Sequence, residues 1–297
     1  MLSATCSKPP LEFRASAAGE NRLPTPTPQT GAEDALQCEF LRHPIVVDNP
    51  YTRWFRNGNA SREELRHFTV QFSVFSNQFL VAQLCKMIHA ETLDSMRASK
   101  EILANEIGVV FHAGGGVNGA AGARVGANES DDDPDLVCDE GSIDGGTFRF
   151  RAAHFEWLLH FAAGLGLDFS ELGKPRHATP STRHFCDELR RLYGSEDWCV
   201  AAGASVAIEN WAAAGFWQEL VDGLVRVRKT RLPGLALGFF TYHNRIESQH
   251  ANHTLEELAG LQRHPDFDAT VFVHSGRHML DALAAFWYGL DGDRVRP

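Results

Sequence analysis

No stretch of this sequence approaches the roughly 20 consecutive apolar residues that a membrane-spanning helix needs, so no membrane span is expected. Positive charge is scarce as well. The chain has 28 lysines and arginines against 38 aspartates and glutamates, a net charge of -10. That balance argues against a nucleic-acid partner and gives no reason to expect an anionic membrane surface. The N-terminus lacks a basic segment followed by an apolar core, so no secretion signal is read there. Cysteine is sparse and scattered: Cys6, Cys38, Cys85, Cys138, Cys186 and Cys199 contain no Cys-x-x-Cys pair, which leaves no sign of a zinc knuckle or a redox dithiol. Reduced thiols in a cytoplasm fit this usage best. The glycines Gly114-Gly115-Gly116 follow no strand and precede no Gly-Lys-Ser/Thr, so they do not read as a phosphate cradle. Neither convincing strand pairs nor an internal repeat is found.

What the sequence does have is helical periodicity in 297 residues, 43% of them hydrophobic, enough for one large domain or two small ones. Residues 1–34 are rich in Pro, Ser, Thr, Ala and Gly and are expected to be disordered. Around Cys38 to Val47 the folded part begins, and Asn49-Pro50 and Asn57-Gly58-Asn59 read as turns. Ser61 and Glu64 form a capping box that opens a long helix carrying Leu65, Phe68, Val70, Phe72, Phe75, Phe79, Leu80 and Leu84. A break near His89 precedes a second helix, from about Thr92 to Ile107, with Leu93, Met96, Ile102 and Leu103 inward. Residues 109–146 are Gly/Asp-rich and aperiodic, and read as a long mobile insertion, a loop or lid.

Periodicity returns with His154, Trp157, Leu158, Phe161, Leu165 and Leu167 on one helical face. Ser181 opens a helix with Phe185, Leu189, Leu192 and Tyr193. Trp198 to about Arg228 reads as a helical pair with Glu209 near its middle. A last helix runs from about Ala269 to Leu290. The fold class expected is all-α, a single bundle of about seven to nine helices over residues 35–297.

The most chemical stretch is Tyr242 to His250. At 100° per residue, His243, Glu247 and His250 fall within about 60° of one another on a helix. Leu235, Leu237, Phe239 and Phe240 lead into this strip and Leu255 and Leu258 follow it. Each residue alone reads as readily as a satisfied polar side chain on a surface helix. Two imidazoles and a carboxylate on a buried strip are donors suited to iron, manganese or zinc. Glu106, His154 and Glu209 are the other candidates beside apolar faces, where a lone carboxylate is costly unless paired or ligated. Three carboxylates and three imidazoles would offset most of the charge of two divalent ions.

These segments resemble the haem-oxygenase-like di-iron oxidases and oxygenases, related in fold to the thiaminase-like bundles. The pattern of that family is a Glu closing one helix, a His opening the next, a Glu on a later helix, then His-x-x-x-Asp/Glu-x-x-His. Asn105-Glu106-Ile107-Gly108, His154-Phe155-Glu156-Trp157, Ala207-Ile208-Glu209-Asn210 and the His243/Glu247/His250 strip are similar to its four parts. The resemblance spans residues 40 to 290 and implies metal ligation by Glu106, His154, Glu209, His243, Glu247 and His250. It implies two Fe(II) ions, with manganese or zinc as substitutes in preparations. It also implies O2 as co-substrate and an external reductant or reductase. The substrate would be a small amine, amino acid or fatty acid, oxidised in specialised metabolism by N-oxygenation, C–C cleavage or desaturation, and a homodimer is compatible. His253 would support a ligand from the edge of the strip. Trp157, Phe161, Trp211 and Phe216 either line an apolar pocket beside the metals or simply pack the core.

Two departures stand out. The insertion separates Glu106 from His154, which leaves His112 as a rival ligand, and Glu247 stands where many members have Asp. Other readings remain open: a cofactor-free oxidase, a thiaminase-like hydrolase using Cys85 or Cys199, a haem protein using His67, ferritin-like ligation through Glu64 and His67, or a non-catalytic metal-binding protein.

Overall fold

The structure, a computed structural model, describes residues 38–110, 138–143 and 146–294, with the side chains of 109–110, 138–151 and 247–257 outside the description. The N-terminal segment, His112 and most of the insertion therefore lie outside the described residues. The chain runs through α1 (Pro44–Val47), α2 (Pro50–Phe55), α3 (Arg62–Ile88) and α4 (Leu93–Glu106). Strands β1 (Val109–Val110), β2 (Cys138–Ile143) and β3 (Gly146–Arg151) follow. Then come α5 (His154–Gly164), α6 (Pro180–Tyr193), α7 (Trp198–Trp211), α8 (Trp217–Thr230), α9 (Gly238–Leu261) and α10 (Ala269–Gly292). The architecture is an all-α bundle, and none of its described helices is long and apolar enough to cross a membrane.

Local chemistry explains the helix starts. Ser61 accepts from the Glu64 N–H at 3.1 Å while the Glu64 carboxylate accepts from the Ser61 N–H at 2.7 Å, closing the expected capping box. Asn49 and Thr179 cap helices with proline at their first positions, where the missing N–H costs nothing. Asn49-Pro50 thus opens α2 rather than only making a turn, and α6 starts one residue before Ser181. At α5 the Glu156 carboxylate accepts from the Ala153 N–H at 2.6 Å, which fixes the helix start at His154.

The centre of the bundle is α7, in which every residue from Ala201 to Trp211 is buried. Its small residues let α10 approach closely. A Cβ on Gly203 would lie 2.1 Å from the Phe272 carbonyl oxygen, so only glycine fits there. Aromatic rings from α2, α3, α9 and α10 fill the space around it, with Phe68, Phe72, Phe240 and Trp287 in mutual contact. The second helix, α4, is peripheral: Ser99 is its one fully buried residue, and Leu93, expected inward, is 56% exposed. A helix packed on one side by α3 has little apolar face to bury.

Two features were not expected. The first is a three-stranded antiparallel sheet, ordered β1-β3-β2, with Val109 opposite Phe150 and Cys138 opposite Arg151. It corrects the expectation of no strands. The sheet clamps the two ends of the insertion together, so the chain leaves the bundle after Glu106 and re-enters it at His154 beside the point of departure. The second is a π-helical turn, Ala212–Phe216, with Gly215 at φ 105°, between α7 and α8. Residues five apart in an α-helix lie about 140° apart, on nearly opposite sides. The wider turn brings Trp211 and Phe216 over one another, stacked at 4.0 Å and 13°.

Candidate metal centre

Three side chains from three helices converge. Glu106 is the last residue of α4, His154 the first of α5, and His243 lies one turn into α9. His154 Nδ1 lies 3.0 Å from Glu106 Oε2, and His243 Nε2 lies 3.9 Å from Glu106 Oε1. One ligand atom from each lies within 4.8 Å of the others. His154 and His243 are buried and Glu106 nearly so. The second distance is too long for a hydrogen bond, so that contact is coulombic.

Each donor is held from behind. The His243 Nδ1–H is directed at the Phe239 carbonyl oxygen at 2.7 Å, which fixes the ring and leaves Nε2 facing Glu106. The Tyr242 hydroxyl donates to Asn105 Oδ1 at 3.2 Å, tying α9 to the end of α4 next to Glu106. Each imidazole is plated by an indole. Trp157 stacks on His154 at 4.7 Å and 24°, and Trp217 stacks on His243 at 4.8 Å and 19°. Burial alone would push the Glu106 carboxyl up. The charge of His154 and its close contact, joined by His243, outweigh that and hold it well below the usual carboxylate range.

The cluster forms one end of a cavity of about 520 Å³, its open mouth included, which Glu209 and Trp211 also line. Glu209 is buried at 3% exposure but is not part of the tight group of three. The helical backbone of α9 continues through Glu247, His250 and His253, whose side chains lie outside the described residues. Among the four expected pocket residues, Trp211 lines the cavity and Phe216 backs it by stacking on Trp211. Trp157 covers His154, and Phe161 packs into the core against Phe240 at 4.8 Å. Reasoning from sequence missed Phe72, Phe75, Ser76 and Phe79, which reach the cavity from α3, and Trp217 and Phe239. The three-to-four spacing on α3 was the available signal, but it marks a buried face without saying what the face borders.

The competing residues are engaged elsewhere. Glu64 makes the helix cap, and His67 contacts Asp293 at 3.2 Å. Cys85, Cys186 and Cys199 are free thiols. Burial pushes the Cys199 thiol up despite the Asp268 N–H that it accepts, the opposite of an activated nucleophile. No family model matches the chain, and no curated protein shows significant similarity to it.

The donor set fits a metal. Two imidazole nitrogens and one carboxylate oxygen, fixed in a dry pocket with an open side, are the ligand set of non-haem ferrous sites.

Proposed function

We propose that this chain is a non-haem iron oxidase or oxygenase of the haem-oxygenase-like type, acting on a small organic substrate. The observation that carries the reading is the convergence of Glu106, His154 and His243. They come from three helices, with the whole insertion between the first two, onto one point beside a cavity. In this reading those three residues hold one ferrous ion. Glu209, with Glu247 and His250 on the continuing strip of α9, provides for a second. Iron held there supplies activation of O2 and removal of electrons from the substrate.

The chain's own groups do the rest. Trp157 and Trp217 keep water from the imidazole faces and fix their planes. The Phe239 carbonyl holds the proton of His243 on Nδ1. The aromatic walls hold the substrate against the cluster and exclude water. A reductase or small reductant supplies electrons, and the free thiols suit a cytoplasmic setting. Manganese or zinc in the same ligands would keep the site and change the chemistry.

The test is anaerobic ferrous titration of metal-free protein, followed by stopped-flow absorbance on mixing with O2. Up to two irons per chain, one held more weakly, and an absorbance change that depends on iron are expected. No ferrous binding at all would sink the reading.

A further inference from the structure

The cavity beside the cluster is walled by more aromatic surface than metal ligation requires. Phe72, Phe75 and Phe79 reach it from α3, Trp211 from the end of α7, Trp217 from the start of α8 and Phe239 from α9. Phe72 stands edge-on to both Trp217, at 5.7 Å, and Phe239, at 6.0 Å, so the walls meet at steep angles rather than as one flat face. Apart from Ser76, the polar side chains at this cavity are His243, Glu106, Glu209 and the Trp211 and Trp217 indoles. The Trp217 Nε1–H is buried and has no acceptor among the described residues. Among the described residues no lysine or arginine lines the space. The acidic side chains at its wall are Glu106 and Glu209.

A ligand carboxylate entering such a place meets two carboxylates, with no lysine or arginine among the described lining residues to receive it. An aromatic ring gains edge and face contacts on several sides. A basic nitrogen on that ring gains attraction from both the carboxylates and the ring faces. We propose that this cavity takes a small aromatic amine, with its ring among Phe72, Phe75, Phe79 and Trp217 and its nitrogen toward Glu106 and Glu209. This rests on the proposed function only in making that nitrogen the group presented to the metal centre. Binding of the ring itself depends on the cavity alone.

The experiment uses the full-length, metal-free protein. Saturation-transfer NMR and tryptophan fluorescence are recorded with benzylamine, aniline, benzoate, hexylamine and hexanoate as probes. Benzylamine and aniline should bind, with benzoate and hexanoate weaker by roughly tenfold or more. Hexylamine should be weaker by a few-fold for want of ring contacts. Ser76→Phe places a ring in the cavity and should abolish probe binding. Phe75→Leu keeps the core filled and should weaken benzylamine more than hexylamine. Benzoate binding as tightly as aniline, hexylamine as tightly as benzylamine, or undiminished benzylamine binding in Ser76→Phe would each overturn the proposal. Ferrous titration of the same samples separates the two readings. Aromatic amines bound by a protein that takes up no iron support the cavity proposal and remove the metal reading. Iron taken up by a protein that binds no aromatic amine overturns the cavity proposal and leaves the metal reading intact.

Discussion

Two of the buried polar regions among the described residues are built on different plans. In one, Gln83 of α3 donates to the Ser99 carbonyl at 2.9 Å and accepts from the Tyr193 hydroxyl at 2.6 Å, while Lys86 donates to Ser205 at 2.9 Å. Donors meet acceptors there, and the result ties α3 to α4, α6 and α7. In the other, Glu106, His154 and His243 come from three helices, and each brings one possible ligand atom within 4.8 Å of the others. The first region ties helices together through direct side-chain bonds. The second gathers nitrogen and oxygen donors at one point, an arrangement that a cation can use. Burial of polar side chains therefore does not mark a site by itself; the sign and direction of what they offer does.

Experiments that break this contrast can be ordered by expected effect. Removing one bond of the helix-tying network and one residue of the donor cluster should give opposite phenotypes. His243→Ala should lower ferrous affinity by roughly a hundredfold or more, since loss of even an outer partner costs about 10- to 100-fold. Its fold should survive, because helix stability comes mainly from apolar packing. Unchanged iron content in titration would return His243 to an ordinary core histidine. Glu209→Gln should take away the weaker of two irons and leave the tighter one, read as a halved stoichiometry. Equal stoichiometry in variant and wild type would exclude Glu209 as a ligand.

Gln83→Leu should do the reverse. It removes the bonds from the Tyr193 hydroxyl and to the Ser99 carbonyl, at about 0.5–1.5 kcal/mol for each hydrogen bond lost. The melting temperature should fall by several degrees, with iron binding unchanged. A loss of iron binding in this variant would show that the two regions are one.

The smallest effect concerns acid. Glu106 loses its proton more readily folded than unfolded, so the unfolded chain binds the extra proton in the acid range. Its contribution is present above the ordinary carboxylate value of 4.5 and is lost as pH falls below it. In metal-free protein the melting temperature should drop on that acid limb, and Glu106→Gln should flatten the drop. An identical acid limb in the variant would show that Glu106 gains nothing from its two imidazoles.

Much of the helical layout was legible because its causes are local. Ser61 and Glu64 announce their own cap, and the face from His154 to Leu167 repeats with the period of a helix. The strip from His243 to His250 needs only that period to put its three residues on one side. Periodicity alone left Glu106 and His154 as separate candidates that only the family resemblance joined, and what brings them together in the fold is not local. A short sheet closes the insertion at its base, and nothing in the aperiodic composition of residues 109–146 announces that pairing. The π turn after Trp211 was equally silent, since Ala-Ala-Ala-Gly-Phe suits an α-helix with a weak end, and packing around Trp217 and Trp287 selects the wider turn. Local periodicity determined which residues face inward. Which inward faces meet, and so whether an indole covers an imidazole or a carboxylate meets two rings, was decided only when the helices packed, because those contacts join residues far apart in the chain.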